Sequence, residues 1–163
     1  CYLQLRMIAE TIAVSCLLAH DDIPDTKSGA LQGTWEADKI IKTLTNLHDD
    51  FFPHPVKREH LPDGTVRMND VPPGYLTRDE VLQLLGRSGN KLHRGSLKNI
   101  LKNKNTVQNH FPDIQQWNNK IVRLLNEHRI MFKNGSVYYA ALKEASLGDN
   151  VLVVLAEPER VAV

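Results

Sequence analysis

A long amphipathic helix followed at once by a tight hairpin most constrains this fold, and the pair spans residues 112–142. Apolar residues recur at steps of three and four through the first half of this range, which predicts a helix with one buried stripe. Pro112 suits a first helical turn, and Asp113 places negative charge near the positive end of the helix dipole. Asn134-Gly135 favours a two-residue type I′ turn, since both of its central residues adopt positive φ.

That turn fixes the pairing that we predict for the hairpin. Phe132 should lie opposite Val137, and Ile130 should lie opposite Tyr139, on one side of the ribbon. One face can then pack on the helix while the second face stays wet and basic. The second face would hold Arg129, Met131, Lys133, Ser136 and Tyr138.

Residues 1–50 and 151–156 add two helices and a strand to this unit. Residues 2–19 are apolar nearly all round, which is typical of a buried helix or of one that pairs with another chain. Thr34 is a predicted N-cap for a helix that ends near 48–50. Residues 151–156 are continuously apolar and predict a buried strand beside the hairpin. The expected class is α+β, mostly helical, with a C-terminal antiparallel hairpin or small sheet.

Composition divides the chain into three predicted units. Residues 1–50 form a helical domain, with the buried first helix and a second amphipathic one. Residues 51–76 hold five of the eight prolines and predict a linker or arm, with a turn at residues 62–64 inside a short hairpin. Residues 77–163 form a basic domain that ends in the apolar strand.

The distribution of charge is more informative than the net charge of +1. Residues 77–142 carry 11 Lys and Arg against 4 Asp and Glu, a net charge of +7, whereas residues 1–76 carry 7 against 11, a net charge of −4. A basic block inside an otherwise acidic chain suggests a polyanionic partner. The alternative interpretation is a solvated, lysine-rich surface.

Cysteine placement and hydropathy predict a cytoplasmic protein with no membrane span. Cys1 and Cys16 fall on one predicted helix, roughly 22 Å apart at a rise of about 1.5 Å per residue, which is too far for a disulfide. The longest apolar run, near residues 12–19, is shorter than a bilayer requires, and no signal peptide is evident. Because the chain opens at Cys1 inside an apolar pattern, we expect further residues upstream.

A second helical unit is expected at the start of the basic block. Thr77 and Glu80 have the spacing of a capping box. This helix is predicted to stop at Gly86, with a turn over residues 87–90. A short helix should follow within residues 91–102.

The order of helix, tight turn, helix, long helix and ribbon resembles a winged-helix module. Residues 76–88, Leu-Thr-Arg-Asp-Glu-Val-Leu-Gln-Leu-Leu-Gly-Arg-Ser, are similar to the opening of many helix-turn-helix sequences. Residues 121–139 are similar to a third helix leading into a wing. The resemblance covers residues 77–142 and implies a non-enzymatic protein that lays its long helix in the major groove of duplex DNA.

The resemblance also implies which side chains would meet nucleic acid. Gln and Asn can read adenine, Arg can read guanine, and Lys mostly holds phosphate. No cofactor and no metal is implied. The predicted contacts are Gln116, Asn119, Lys120, Arg123, Lys133, Asn134, Lys98 and Lys102.

Two alternatives come from other classes of protein. The apolar helix over residues 2–19 favours a protein-interaction or assembly module, with a partner helix or self-association. Arg123 and His128 match the Arg-x4-His pattern of HEPN ribonucleases, which implies an RNA-cleaving enzyme with His128 in the site.

One cluster of histidines and acids lies next to the proline-rich segment. Five residues separate His48 from His54 and His54 from His60, a spacing that matches no established metal motif. We therefore predict a solvated polar loop here. The cluster consists of His48, Asp49, Asp50, His54, Glu59 and His60.

Overall fold

Four helices and a five-stranded antiparallel sheet form the described part of the chain, which confirms the predicted α+β class. The structure, a computed structural model, describes residues 1–21, 23–27, 36–92 and 110–157. The helices are α1 (Tyr2–Ala19), α2 (Ala37–Leu47), α3 (Arg78–Leu92) and α4 (Phe111–Leu125). The strands are β1 (His54–His60), β2 (Val66–Asp70), β3 (Glu127–Met131), β4 (Val137–Glu144) and β5 (Asn150–Ala156).

Helix α1 forms the centre of the helical layer, because it contacts α2, α3 and α4. Small residues on its inner face allow the neighbouring helices to approach closely. The buried residues are Leu5, Ala9, Ile12, Ala13 and Cys16. Burial raises the pKa of the Cys16 thiol to about 12, and both cysteines are free, as the spacing predicted.

Helix α3 begins with the predicted capping box. The backbone N–H of Thr77 donates to Oε2 of Glu80 at 3.1 Å, and the backbone N–H of Glu80 donates to Oγ1 of Thr77 at 3.3 Å. These two bonds satisfy donors that a helix N-terminus otherwise leaves without a partner.

The predicted end of this helix at Gly86 is wrong, and so is the turn over residues 87–90. Helix α3 continues through both to Leu92. A glycine inside a helix costs only about 1 kcal/mol relative to alanine, and the buried face of α3 continues past Gly86 to Ser88, whose hydroxyl donates to the Leu84 carbonyl at 2.6 Å. The predicted short helix within residues 91–102 lies mostly outside the described residues.

Helix α4 matches its prediction in position and in buried face. Pro112 occupies the first turn, Asp113 is acidic in that turn, and Trp117, Ile121 and Leu124 are buried. The helix ends at Leu125, and β3 begins two residues later, as the sequence indicated.

The segment predicted to be a linker or arm contains the short hairpin that we predicted around residues 62–64, and this hairpin joins the sheet. Strands β1 and β2 form an antiparallel hairpin in which Arg58 lies opposite Met68. His54 of β1 then pairs with Arg129 of β3, so the sheet order is β2-β1-β3-β4-β5. The prolines did not prevent pairing, because Pro55 is the second residue of β1, opposite His128, and the other prolines of this segment lie outside the strands.

The predicted pairing of the β3–β4 hairpin is wrong by one residue. Ile130 pairs with Tyr138, and Arg129 pairs with Tyr139. The loop has three residues rather than two, since the N–H of Phe132 donates to the carbonyl of Ser136 at 2.8 Å. Among the loop residues only Gly135 has positive φ, at 86°, which fits a type I turn with a bulge and not a type I′ turn.

The one-residue shift changes which side chains share a face, because side chains alternate along a strand. Arg129 now lies on the same face as Tyr139 and Val154, while Ile130 lies with Tyr138 and Leu155. Tyr139 is buried, but Tyr138 is exposed.

A polar cluster joins the strands across the buried side of the sheet. The N–H of Arg58 and the hydroxyl of Tyr139 both donate to Oε1 of Glu127, at 2.8 and 2.7 Å. The guanidinium of Arg58 also binds Glu144 and lies 5.0 Å from the centre of the Tyr139 ring. These side-chain contacts link β1 to β3 and to β4, its second neighbour in the sheet.

The predicted boundary between a helical domain and a basic domain does not separate two cores. One buried cluster includes Leu44 from α2, Phe51, Leu84 from α3 and Leu124 from α4. Because all three predicted units contribute to this cluster, the helices are stabilised by the same contacts that hold the second half of the chain.

Candidate interaction surface

The polar ridge that we predicted on α4 is present opposite the buried stripe. Gln116 and Asn119 are exposed, and their spacing places them on the same helix face as Lys120 and Arg123. The two cations, however, are engaged with other parts of the chain.

The side chain of Lys120 binds the first turn of α3, and that of Arg123 binds the segment before this helix. The ammonium of Lys120 binds Oε1 of Glu80, and both side chains are about four-fifths buried. The guanidinium of Arg123 donates to the carbonyl of Pro72 at 3.2 Å. It packs on Gly74, whose φ of +116° is a backbone conformation that favours glycine.

Acidic groups of the same chain pair with most of the described cations in the basic block. Seven Lys and Arg residues between 77 and 142 are described, and four of them form ion pairs with Asp or Glu. This pairing reduces the positive potential that a polyanion would meet. The pairs are Arg78 with Asp79, Arg87 with Asp113, Lys120 with Glu80, and Arg129 with Asp70.

The remaining predicted contacts are at the hairpin tip or outside the described residues. Lys133 and Asn134 are exposed, and Oδ1 of Asn134 accepts a hydrogen bond from the N–H of Ser136 at 2.8 Å. Lys98 and Lys102 lie outside the described residues.

The histidine and acid cluster separates into several environments. The Nε2 atom of His48 faces the carbonyl of Met131 at 2.9 Å, and Glu59 accepts from the side chain of Asn69 at 2.9 Å. His54 lines a pocket of about 440 Å³. Across the described ranges, no group of three or more His, Cys, Asp or Glu side chains lies close enough to hold a metal ion.

That pocket is lined by charged side chains of both signs. Nε2 of His54 lies 3.3 Å from Oδ1 of Asp70, and Nη2 of Arg129 lies 3.6 Å from the same oxygen. Asp49 and Asp50 come to the pocket from the loop after α2. The pocket therefore holds an Arg129–Asp70 ion pair beside the buried Nε2 atom of His54, which has no hydrogen-bond partner in the described structure.

The Arg123–His128 pair has little of the geometry of a ribonuclease site. Arg123 points to the Pro72 carbonyl, while Nδ1 of His128 faces the Leu125 carbonyl at 3.1 Å. His128 is half-buried, and this burial lowers the pKa of its imidazole despite the contact with Leu125, which raises it.

The sheet ends in an exposed apolar edge, which the sequence had not predicted. β5 is the last strand and pairs with β4 only, so its outer edge has no partner among the described strands. Val153 is 59% exposed and Leu155 is 51% exposed, although we had predicted a buried strand. A continuous apolar run has the same periodicity whether its strand is covered or not, so no signal in the sequence distinguished the two cases.

The apolar surface extends from β5 onto β4. Tyr138 lies opposite Leu155, and Ala140 lies opposite Val153, so exposed apolar side chains of both strands share one face. Helix α4 contacts β1 and β3, near the centre of the sheet, whereas β5 has its main contacts, among the described elements, with β4. We call this surface the apolar edge; it consists of Tyr138, Leu142, Val151, Val153 and Leu155.

Helix α1 carries a second exposed apolar stripe, on the side away from the core. Its members are spaced as neighbours on a helix surface, which suits a partner helix. By length and composition α1 is also long and apolar enough to cross a membrane, a test that core helices of soluble proteins pass too. The stripe consists of Leu3, Met7, Val14 and Leu18.

The chain matches no family model, no curated protein and no solved structure.

Proposed function

We propose that the protein is a protein-interaction module that docks a partner on the apolar edge. The observation that carries the proposal is β5, a seven-residue strand of exposed apolar side chains whose outer edge is unpaired in the described structure. Such strands are rare on proteins that act alone, because they pair readily with other chains.

The opposite edge of the sheet supports this interpretation. Strand β2 is shorter, and it carries Arg67 and Asp70, charged residues of the kind that discourage pairing at an edge. One edge is therefore protected by charge, whereas β5 has no charged residue at all.

Nucleic-acid binding remains a prediction from the sequence, with a weaker basis than before. The positive charge expected to attract a nucleic acid lay mainly on the polar ridge of α4. There, Lys120 and Arg123 bind groups of their own chain. Counterion release from a nucleic acid requires cations that are free to meet phosphates.

Site-specific photo-crosslinking from the two edge strands tests the proposal. A photoreactive amino acid replaces Val153 in β5 or, as the matched control, Val66 in β2, which is also an exposed edge valine. We expect crosslinks to one protein, identified by its peptides, from position 153 and none from position 66. Equal crosslinking from both positions would contradict the proposal.

A mobility-shift assay with random duplex DNA separates the earlier prediction from this one. The interaction module should leave DNA migration unchanged at physiological salt. A shift that weakens steeply with salt, and that Gln116→Ala with Asn119→Ala abolishes, would favour nucleic-acid binding instead.

A further inference from the structure

We infer that the partner on the apolar edge is an extended, apolar strand of another protein with a lysine or arginine at each end. This inference rests on the proposed function and specifies the chemistry of its partner. Three features of the edge carry it: the outer main-chain edge of β5, which pairs with no described strand, the apolar side chains on both faces of β5, and the acidic residues at its two ends.

The main chain of β5 is suited to receive another strand. β4 pairs with one edge of β5 from Val137↔Ala156 to Ala141↔Leu152. In a strand, alternate N–H and C=O groups point to the opposite edge, and no described strand meets them there. Strand addition would satisfy these groups and extend the sheet from five strands to six.

The side chains of β5 require an apolar partner on both faces. Val153 and Leu155 are exposed on the face shared with Tyr138, and Val154 is exposed on the opposite face. A strand with apolar residues at successive positions would cover both faces, whereas an alternating polar strand would cover one.

Acidic residues flank the apolar strand. Asp149 precedes β5, Glu157 follows it, and both are exposed. Opposite charges placed across neighbouring strands attract, and like charges placed so repel. A partner with a basic residue at each end is therefore complementary to this edge.

The same charges disfavour a second copy of this chain as the partner. Antiparallel self-pairing that aligns all of β5 places Asn150 opposite Ala156, which sets Asp149 opposite Glu157 at both ends. Parallel self-pairing sets each acid against itself. Both arrangements bring like charges together, so a foreign basic strand fits better.

Two fluorescein-labelled peptides test the inference on the full chain. Both have five apolar β-branched residues, Val-Ile-Val-Ile-Val, with one lysine at each end in the first peptide and one glutamate at each end in the second. Fluorescence anisotropy should show binding of the lysine peptide, and binding of the glutamate peptide at least about fivefold weaker at low salt. The preference should disappear near 0.5 M NaCl, because the flanking charges are screened.

Backbone N-methylation of the lysine peptide distinguishes strand addition from nonspecific hydrophobic contact. Methylation of the alternate amides that face β5 should abolish binding, while methylation of the other alternate set should preserve it. Loss of binding with both sets, or with neither, would overturn strand addition.

Matched variants assign the effect to this edge. Val153→Lys should reduce binding of the lysine peptide at least tenfold, whereas Val66→Lys in β2 should not change it. Asp149→Asn with Glu157→Gln should equalise the two peptides without loss of binding, since only the charges change. Equal affinity of both peptides for the unmodified chain would overturn the basic-partner inference.

Sedimentation separates failure of this inference from failure of the proposed function. If the protein dimerises and Val153→Lys makes it monomeric, the partner is a second copy: the interaction role stands and the foreign basic strand is overturned. If neither peptide binds and position 153 gives no specific crosslink, the proposed function fails as well.

Discussion

Lys120 and Glu80 form an ion pair between α4 and the first turn of α3. Burial by itself would raise the pKa of Glu80, but hydrogen bonds from Lys120 and from the Thr77 N–H lower it overall. We expect Lys120→Met to lower the free energy of unfolding by about 1–2 kcal/mol, between the values for exposed and buried pairs. Urea denaturation measures this loss.

A double-mutant cycle with Glu80→Gln checks that the two residues act through each other. The sign with pH follows from the lowered pKa: the stabilisation is present above 4.5 and is lost as pH falls through the folded pKa. Additive effects of the two substitutions, or a loss unchanged at acidic pH, would show that Lys120 does not act through this pair.

The burial of His128 predicts a second dependence of the free energy of unfolding on pH. Burial lowers the pKa of its imidazole below 6.5, so the unfolded chain takes up a proton before the folded chain does. The free energy of unfolding should therefore fall as pH drops below 6.5, until the folded pKa is reached. Urea denaturation at a series of pH values should show a shallower fall for His128→Gln. Identical slopes for the variant and the unmodified chain would contradict this prediction.

Residue roles were predictable from sequence where they depend on near neighbours. Thr77 and Glu80 form the capping box because their spacing alone brings them together. The role of Arg123 was not predictable, since its partner, the Pro72 carbonyl, lies 51 positions away in the chain. An exposed polar stripe on a helix does not show whether another segment of the chain folds over it.

At the scale of elements, two glycines make opposite predictions. Gly135 has φ of 86° in the hairpin loop, so Gly135→Ala should destabilise the protein by about 1 kcal/mol. Gly86 lies inside α3 with nothing within 4 Å of an added Cβ, so Gly86→Ala should stabilise it by about 0.5–1 kcal/mol.

Thermal denaturation followed by circular dichroism measures both changes. The pair also tests the structure of α3 against the sequence prediction. If Gly86 ended a helix in the left-handed conformation, alanine there would destabilise the protein, so a fall in melting temperature for Gly86→Ala would support the predicted turn over residues 87–90.

The helices and strands were predicted well, and their boundaries and neighbours less well. Helix α4 followed from its periodic stripe, and β5 followed from its β-branched run. Hairpin register depended on φ at Asn134, and the number of loop residues could not be read from the Asn-Gly pair alone. The order of strands in the sheet requires contacts distant in sequence, such as His54 with Arg129.

At the scale of the whole molecule, one helical core contains residues from both halves of the chain, and a smaller buried cluster of Val56, Tyr139 and Ala141 lies on the sheet. α1 contacts α2, α3 and α4, and buried residues from before and after the proline-rich segment touch in one cluster. The proline count suggested a linker there, but composition does not report that β1 pairs with β3. Because β1 and β2 from residues 51–76 occupy one side of the sheet, β5 lies at the opposite edge.

Leu44→Ala tests whether the helices on the two sides of the proline-rich segment form one cooperative unit. Leu44 is fully buried in α2, so the substitution should lower the free energy of unfolding by about 2–5 kcal/mol. Hydrogen exchange of the slowest amides should then accelerate equally in α1 and in α4, because both helices depend on the same core. Faster exchange in α1 and α2 with α4 unchanged would instead support two separate domains, and the apolar edge would then belong to a unit that folds without α1.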